Sequence, residues 1–210
     1  MNLLALLGDS IFDNAAYVGG GPAVIDQVRG KLPAGWRASL LAVDGDMAGD
    51  VFAQIQRLPA DVTHLALSVG GNDALGVLDQ IHSPTPLPML HALKVLADVQ
   101  ERFETQYMKV VDALIDTGKP LLICTVYDRV PGLSNELRSA LSLFNDVIVR
   151  TGVKCGVPIL DLREICTSEA AYSALSPIEP SVLGGDKIAG RLASIAQNHL
   201  FDHRDCVFYR

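Results

Sequence analysis

No run of apolar residues in this sequence approaches the ~20 needed to cross a bilayer as a helix, so no membrane span is expected. Met1-Asn2 supplies no basic segment, and the apolar run after it is shorter than the hydrophobic part of a secretion signal. No cleavable leader is therefore expected, and the cytoplasm is the default location. Cysteine is scarce. Cys124, Cys155, Cys166 and Cys206 stand far apart with no Cys-x-x-Cys pair, which excludes a zinc-finger spacing and leaves reduced structural thiols as the reading. Positive charge is outnumbered, with 17 Lys and Arg against 24 Asp and Glu. The resulting net charge of −7 makes nucleic acid or an anionic membrane surface a poor partner.

What is present is material for a core. Apolar residues make up 49% of the 210 and charged residues 20%, a balance that argues against disorder. No composition shift and no repeat divides the chain, so residues 1–210 are read as a single domain. The segment Leu3-Leu4-Ala5-Leu6-Leu7 is too short for an amphipathic helix and, bounded by Gly8, reads as a buried strand of a parallel sheet. A helix over residues 22–32 follows the glycine triplet Gly19-Gly20-Gly21, which lacks the lysine of a phosphate-binding loop. Further strands are expected over Ser39–Val43, Thr63–Val69, Pro120–Val126 and Val157–Leu160, with Cys206–Tyr209 a candidate for one more. Helical stripes run between them. The longest reaches from about Leu90 to Ile115 through Leu93, Leu96, Val99, Phe103, Val110 and Leu114. Another carries Leu137, Leu141, Phe144 and Ile148 and ends near Gly152; residues 162–183 read as irregular, and Ile188, Leu192 and Ile195 mark a last helix.

Strand and helix thus alternate five times, which predicts a three-layer α/β/α sandwich around a five-stranded, mostly parallel, flavodoxin-like sheet. Right-handed crossovers place all strand-to-helix turns on one edge of such a sheet. Three of those turns are polar and rich in glycine: Gly8-Asp9-Ser10, Asp44-Gly45-Asp46-Met47-Ala48-Gly49-Asp50 and Gly70-Gly71-Asn72-Asp73. Singly, each is explained by helix capping or a tight turn. Converging on one edge, they have the geometry of a site.

These blocks resemble those of the SGNH (GDSL-type) hydrolases, a family of serine esterases and acylhydrolases, in the same order and along nearly the whole chain. The resemblance implies the SGNH hydrolase fold, Ser10 as nucleophile with Asp9 beside it, and an oxyanion hole built from Ser10, Gly49 and Asn72. A small acyl ester would be the substrate, and no cofactor is implied. The chemistry suits the residue types, because a serine alkoxide needs a proton acceptor and the tetrahedral intermediate needs fixed donors about 3 Å from its oxygen.

The fourth block departs from the family, which closes with Asp-x-x-His before a proline. Here the stretch is Ser176-Pro177-Ile178-Glu179-Pro180, with Ser176 in place of the aspartate and Glu179 in place of the histidine. The two changes are consistent with each other. A carboxylate at 179 has no ring N–H to orient and would be repelled by an aspartate three residues earlier, whereas Ser176 can donate to it. Glu179 is useful as a base at neutral pH only if burial raises its pKa above the ordinary ~4.3. His82, in the Pro-rich loop after the third block, is the other candidate acceptor; His91 stands beside it, and His64, His199 and His203 lie away from the expected strand ends. Three readings remain: a serine hydrolase with an altered acceptor, a catalytically weak domain that binds an acyl or glycan ligand, and a metal-assisted hydrolase. The last would use the acidic residues Asp9, Asp13, Asp44, Asp46, Asp50, Asp73 and Asp128, although no metal-site spacing is present.

Overall fold

A computed structural model describes residues 1–78, 87–201 and 205–210. Six strands, β1 (Asn2–Gly8), β2 (Trp36–Leu40), β3 (His64–Ser68), β4 (Leu121–Cys124), β5 (Ile159–Leu160) and β6 (Phe208–Tyr209), form one sheet in the order β2-β1-β3-β4-β5-β6. Every pairing is parallel. The described helices are α1 (Val24–Lys31), α2 (Val51–Ile55), α3 (Gly71–Leu75), α4 (Met89–Ile115), α5 (Asn135–Cys155) and α6 (Val182–Asn198). This is the expected three-layer α/β/α arrangement, with the tail strand as a sixth member of the sheet.

Strand β1 is buried on both faces, as its unbroken apolar run requires. Its alternate side chains serve two cores. Leu4 and Leu6 pack with Val24 and Val28 of α1 and Ile188 and Leu192 of α6, while Leu3, Ala5 and Leu7 pack with Val51 of α2, Val110 of α4 and Ile148 of α5.

Several boundaries differ from the sequence reading, each for a local reason. Strand β2 starts at Trp36, paired with Asn2, rather than at Ser39. Beyond Leu40 the chain still follows β1, but Leu41 and Ala42 both donate to the Leu6 carbonyl at 2.8 and 3.0 Å, and this shared acceptor breaks the ladder. In α4 the apolar stripe is buried from Val99 onward, whereas Leu93 is exposed and Leu96 half-buried, because the first turns contribute nothing to the core beneath. Gly152 does not end α5. It lies inside the helix where a Cβ would sit 2.6 Å from the Ile159 side chain, and the terminator is Gly156, at φ +65°.

Helix α6 begins within the stretch read as irregular. Ser181 caps it by accepting from the Gly184 N–H at 3.1 Å, and the Gly184-Gly185 pair lets the helix lie against its neighbours. A Cβ at Gly184 would stand 2.1 Å from the Ala171 carbonyl oxygen, and one at Gly185 would stand 2.5 Å from the Gln27 amide oxygen of α1. All four cysteines are free, with Cys124 and Cys166 buried.

Candidate active site

Ser10 is carried at the C-terminal end of β1 by a turn that only glycine can open. Gly8 has φ +124°, and a Cβ there would meet the Ser68 carbonyl oxygen at 1.8 Å. The Asp9 N–H donates to that same carbonyl at 3.0 Å, and the Asp9 carboxyl accepts from the Ile11 N–H at 3.1 Å. Gln54, fully buried in α2, fixes the strand end from the other side. Its side-chain amide exchanges two 2.8 Å hydrogen bonds with the Gly8 backbone and donates to the Asp46 carboxylate at 2.8 Å.

Glu179 reaches the same place from the loop before α6. Its N–H donates to the Ser176 carbonyl at 3.1 Å, its carbonyl accepts from the Ser173 N–H at 2.8 Å, and Tyr127 donates to the preceding Ile178 carbonyl at 2.6 Å. Asn14 ties this loop to the serine turn: its amide donates to the Pro180 carbonyl at 3.1 Å while its amide oxygen accepts from the Val24 N–H at 2.8 Å. The Glu179 side chain is 3% exposed, within hydrogen-bonding reach of the Ser10 hydroxyl, and its Oε2 has no partner. Ser176 therefore meets Glu179 through its backbone carbonyl rather than through its hydroxyl.

Burial raises the Glu179 pKa to about 7; the Ser10 hydrogen bond pulls it down in part, and the nearby Asp44 charge adds to the rise. Asp9 is raised further, to about 8, by burial first and then by the charges of Glu179 and Asp73, against the lowering effect of the Ile11 N–H. Asp73, which accepts from the Ala48 N–H at 3.0 Å, is also raised by burial.

Ser10, Asp9, Asn72 and Glu179 line one cleft of about 750 Å³, part of it open to solvent. Asn72 donates from its amide nitrogen to the Asp46 carbonyl at 3.0 Å, which orients it at the cleft edge. Gly49 stands apart. It is exposed in the 3₁₀ turn Ala48–Asp50, where a Cβ would come 3.3 Å from the Gln106 side-chain amide of α4, and it does not line the cleft.

No described histidine lines the cleft. His64 opens β3 at the opposite edge, its ring tilted against Trp36 and edge-on to Phe201; His199 pairs with the Tyr209 hydroxyl at 2.7 Å; and His91 lies exposed in the first turn of α4. His82 and His203 lie outside the described residues. Among the described residues, no three His, Cys, Asp or Glu side chains converge as a metal-ligand set.

The sequence reading missed the residues that hold these groups in place, Asn14, Gln54, Tyr127 and Asn145. Asn145 of α5 exchanges two 2.8 Å hydrogen bonds with the Val126 backbone, fixing the end of β4 in the cleft wall. A buried polar residue inside an apolar helical stripe was the one available signal, carried by Gln54 between Val51 and Ile55 and by Asn145 beside Phe144.

No family profile and no curated protein matches the sequence. Solved structures do match, along nearly the whole chain. An alpha/beta hydrolase enzyme from the metagenome of Lake Arreo, Spain, superposes with a TM-score of 0.65 at 19% identity, over 93% of this chain and 94% of that one. An extracellular lipase from Streptomyces rimosus gives 0.61 at 20% identity, over 94% and 99%. A variant of an acetyl xylan esterase from Geobacillus stearothermophilus gives 0.65 at 18% identity, over 93% and 94%. At these identities the likeness establishes the fold, and it is the fold expected from the resemblance to the SGNH hydrolases.

Proposed function

We propose that this protein is a serine-dependent hydrolase of small carboxylic esters in which Glu179 replaces histidine as the proton acceptor. The observation that carries the reading is the Ser10 hydroxyl within reach of a buried Glu179 carboxyl whose pKa lies near 7. At neutral pH such a group is ionised in a large fraction of molecules, yet basic enough to take a proton in the transition state. The names of the structural neighbours, which include lipases and acetyl xylan esterases, favour the same reaction class.

In this mechanism Ser10 Oγ attacks the acyl carbon as its proton passes to Glu179. The oxyanion is held by the Ser10 N–H and the Asn72 amide, both in the cleft lining. Collapse breaks the bond to the alcohol, which leaves with the proton from Glu179. Water then attacks the acyl-serine with Glu179 again as base, releasing the carboxylic acid and restoring Ser10. The donors matter because the charge they meet develops only in the transition state; losing one costs about 10²–10³ in rate.

The test is covalent labelling of Ser10 by a fluorophosphonate, followed by mass spectrometry, beside turnover of a p-nitrophenyl ester. Labelling of the wild type and loss of both signals in Ser10→Ala are expected; undiminished turnover in Ser10→Ala would overturn the reading. One observation favours a second reading, a catalytically weak ligand-binding domain of the same fold: Gly49 lies outside the cleft. Absence of both labelling and turnover in the wild type would select it.

A further inference from the structure

The cleft is two-sided. Its polar side chains, Asp9, Ser10, Asn72 and Glu179, are few, and the rest of the lining is apolar apart from Gly71 and the ring of Tyr127. One wall comes from α5 and the loop before it, through Leu133, Leu137, Ala140, Leu141 and Phe144. Across from it stand Leu75, Val77 and Leu78 at and beyond the end of α3. Among the described residues, neither a lysine nor an arginine lines it. Such a lining binds by removing apolar surface from water and offers no hydrogen-bonding group to a sugar ring along its length.

Beyond Glu179 the surroundings change sign. The Asp44 charge acts on Glu179, and Tyr17 links the two by donating to the Asp44 carboxylate at 2.7 Å while sensing Glu179 and Asp13. The Asp44 N–H in turn donates to the Asp13 carboxylate at 3.1 Å. The same loop supplies Asp46, whose carbonyl holds Asn72. Among the described residues, no ion pair neutralises Asp13, Asp44, Asp46 or Asp50. Arg129 and Arg138, each next in sequence to a lining residue, are held at Asp128, Arg129 by its carboxylate and Arg138 by its backbone carbonyl. Glu179 itself is an almost wholly buried carboxyl with one oxygen unpartnered.

Resting on the proposed hydrolysis, we infer that the substrate is an ester of an apolar acyl chain longer than acetyl with an uncharged or cationic alcohol. The acyl chain occupies the arm between α5 and the α3 end, and the alcohol leaves past the Asp13–Asp44 rim. An anionic alcohol would meet the Asp13–Asp44 carboxylates, which no described ion pair neutralises, and it would also raise the cost of ionising Glu179. Arm and rim thus select the two ends of one substrate independently.

The experiment has three arms on the full chain. In the first, kcat/KM is measured for p-nitrophenyl acetate, butyrate and hexanoate; a rise of roughly three- to fourfold per methylene is expected while the chain remains inside the arm. Leu137→Trp, which fills that arm, is expected to shift the preference back towards acetate. In the second arm, hexanoyl esters of choline, ethylene glycol and glycolate are compared. The choline ester is expected to exceed the glycolate ester by about fivefold, with the ratio shrinking in Asp44→Asn and at high salt. In the third, binding of octanamide is followed by calorimetry, a readout that needs no turnover; it should be weakened at least tenfold by Leu137→Trp. A flat or falling acyl series, an unchanged octanamide affinity in Leu137→Trp, or a preference for the glycolate ester would overturn the inference. If fluorophosphonate fails to label Ser10 and no ester is turned over, the hydrolase reading falls, and the octanamide arm still decides whether the cleft takes an apolar chain.

Discussion

Asp9 and Glu179 are two buried carboxyls that line one cleft with Ser10, and the charge of Glu179 helps raise the Asp9 pKa to about 8. The direction of this coupling sets the order of ionisation: because the Glu179 charge raises Asp9, ionised Glu179 holds Asp9 neutral, and the cleft carries one negative charge where the proposed base needs it. Had Asp9 been the stronger acid, its charge would have held Glu179 protonated at neutral pH.

A pH profile follows from that order. Activity is expected to rise through pH 7 as Glu179 ionises, well above the ordinary glutamate range. Asp9→Asn keeps the acceptor oxygen for the Ile11 N–H but cannot ionise. Its profile of kcat/KM against pH is expected to keep the acidic limb and to stay level above pH 8, where ionisation of Asp9 in the wild type adds a second negative charge. A limb near pH 4 in both proteins would contradict the pKa assignment.

Stability should carry the same signature. Both carboxyls have folded-state pKa values above their unfolded ones, from 3.8 to about 8 for Asp9 and from 4.5 to about 7 for Glu179. The folded state therefore binds more protons than the unfolded state between those values, and its stability is greatest below pH 4 with respect to these groups and falls as pH rises towards 8. The slope per group is at most about 1.4 kcal/mol per pH unit. Melting temperatures recorded from pH 5 to pH 8 should fall less steeply in Asp9→Asn than in wild type; parallel curves would remove Asp9 from this account.

The bridge made by Asn14 is expected to link stability with function. Asn14→Ala removes one hydrogen bond to the Pro180 carbonyl and one from the Val24 N–H, leaving both groups buried without their partner. A loss of about 1–3 kcal/mol in chemical denaturation is expected. Slower fluorophosphonate labelling of Ser10 should accompany it, because the Glu179 loop is no longer tied to the serine turn. Wild-type labelling in a destabilised variant would make the bridge purely structural.

Gly184→Ala tests the packing of the third layer. The added methyl would stand 2.1 Å from the Ala171 carbonyl oxygen, a backbone atom that cannot rotate away, so the helix must shift. A cost of about 1–3 kcal/mol is expected, read as a drop in midpoint of denaturation. The same change at Gly190, where only the Lys31 side chain lies near, should be close to neutral.

The architecture was legible because its signals are local and repeated: β1 is an unbroken apolar run, and each helix has a periodic stripe. Ser10 and Asn72 were legible because their glycine-bearing turns advertise strand ends. The limits of α4 and α5 were not legible, since an exposed Leu93 and a buried Leu114 look alike in a stripe, and Gly152 reads as a terminator until Ile159 is seen packed against it. Glu179 was found by its place in a block, but its burial could not be read from a loop flanked by prolines. Asn14 and Gln54 were invisible for a different reason: their hydrogen bonds reach residues 166 and 46 positions away, to Pro180 and Gly8.

The most direct measurement is the turnover of a short-chain p-nitrophenyl ester by Glu179→Gln, with circular dichroism and octanamide binding establishing that the variant is folded. Glutamine keeps the size and polarity of the side chain and removes its capacity to take the Ser10 proton. A fall in kcat of about 10²–10⁴ is expected, the range general-base catalysis supplies, with His82→Ala retaining wild-type turnover. Wild-type kcat in folded Glu179→Gln, or its collapse in His82→Ala instead, would contradict the assignment of Glu179 as the base.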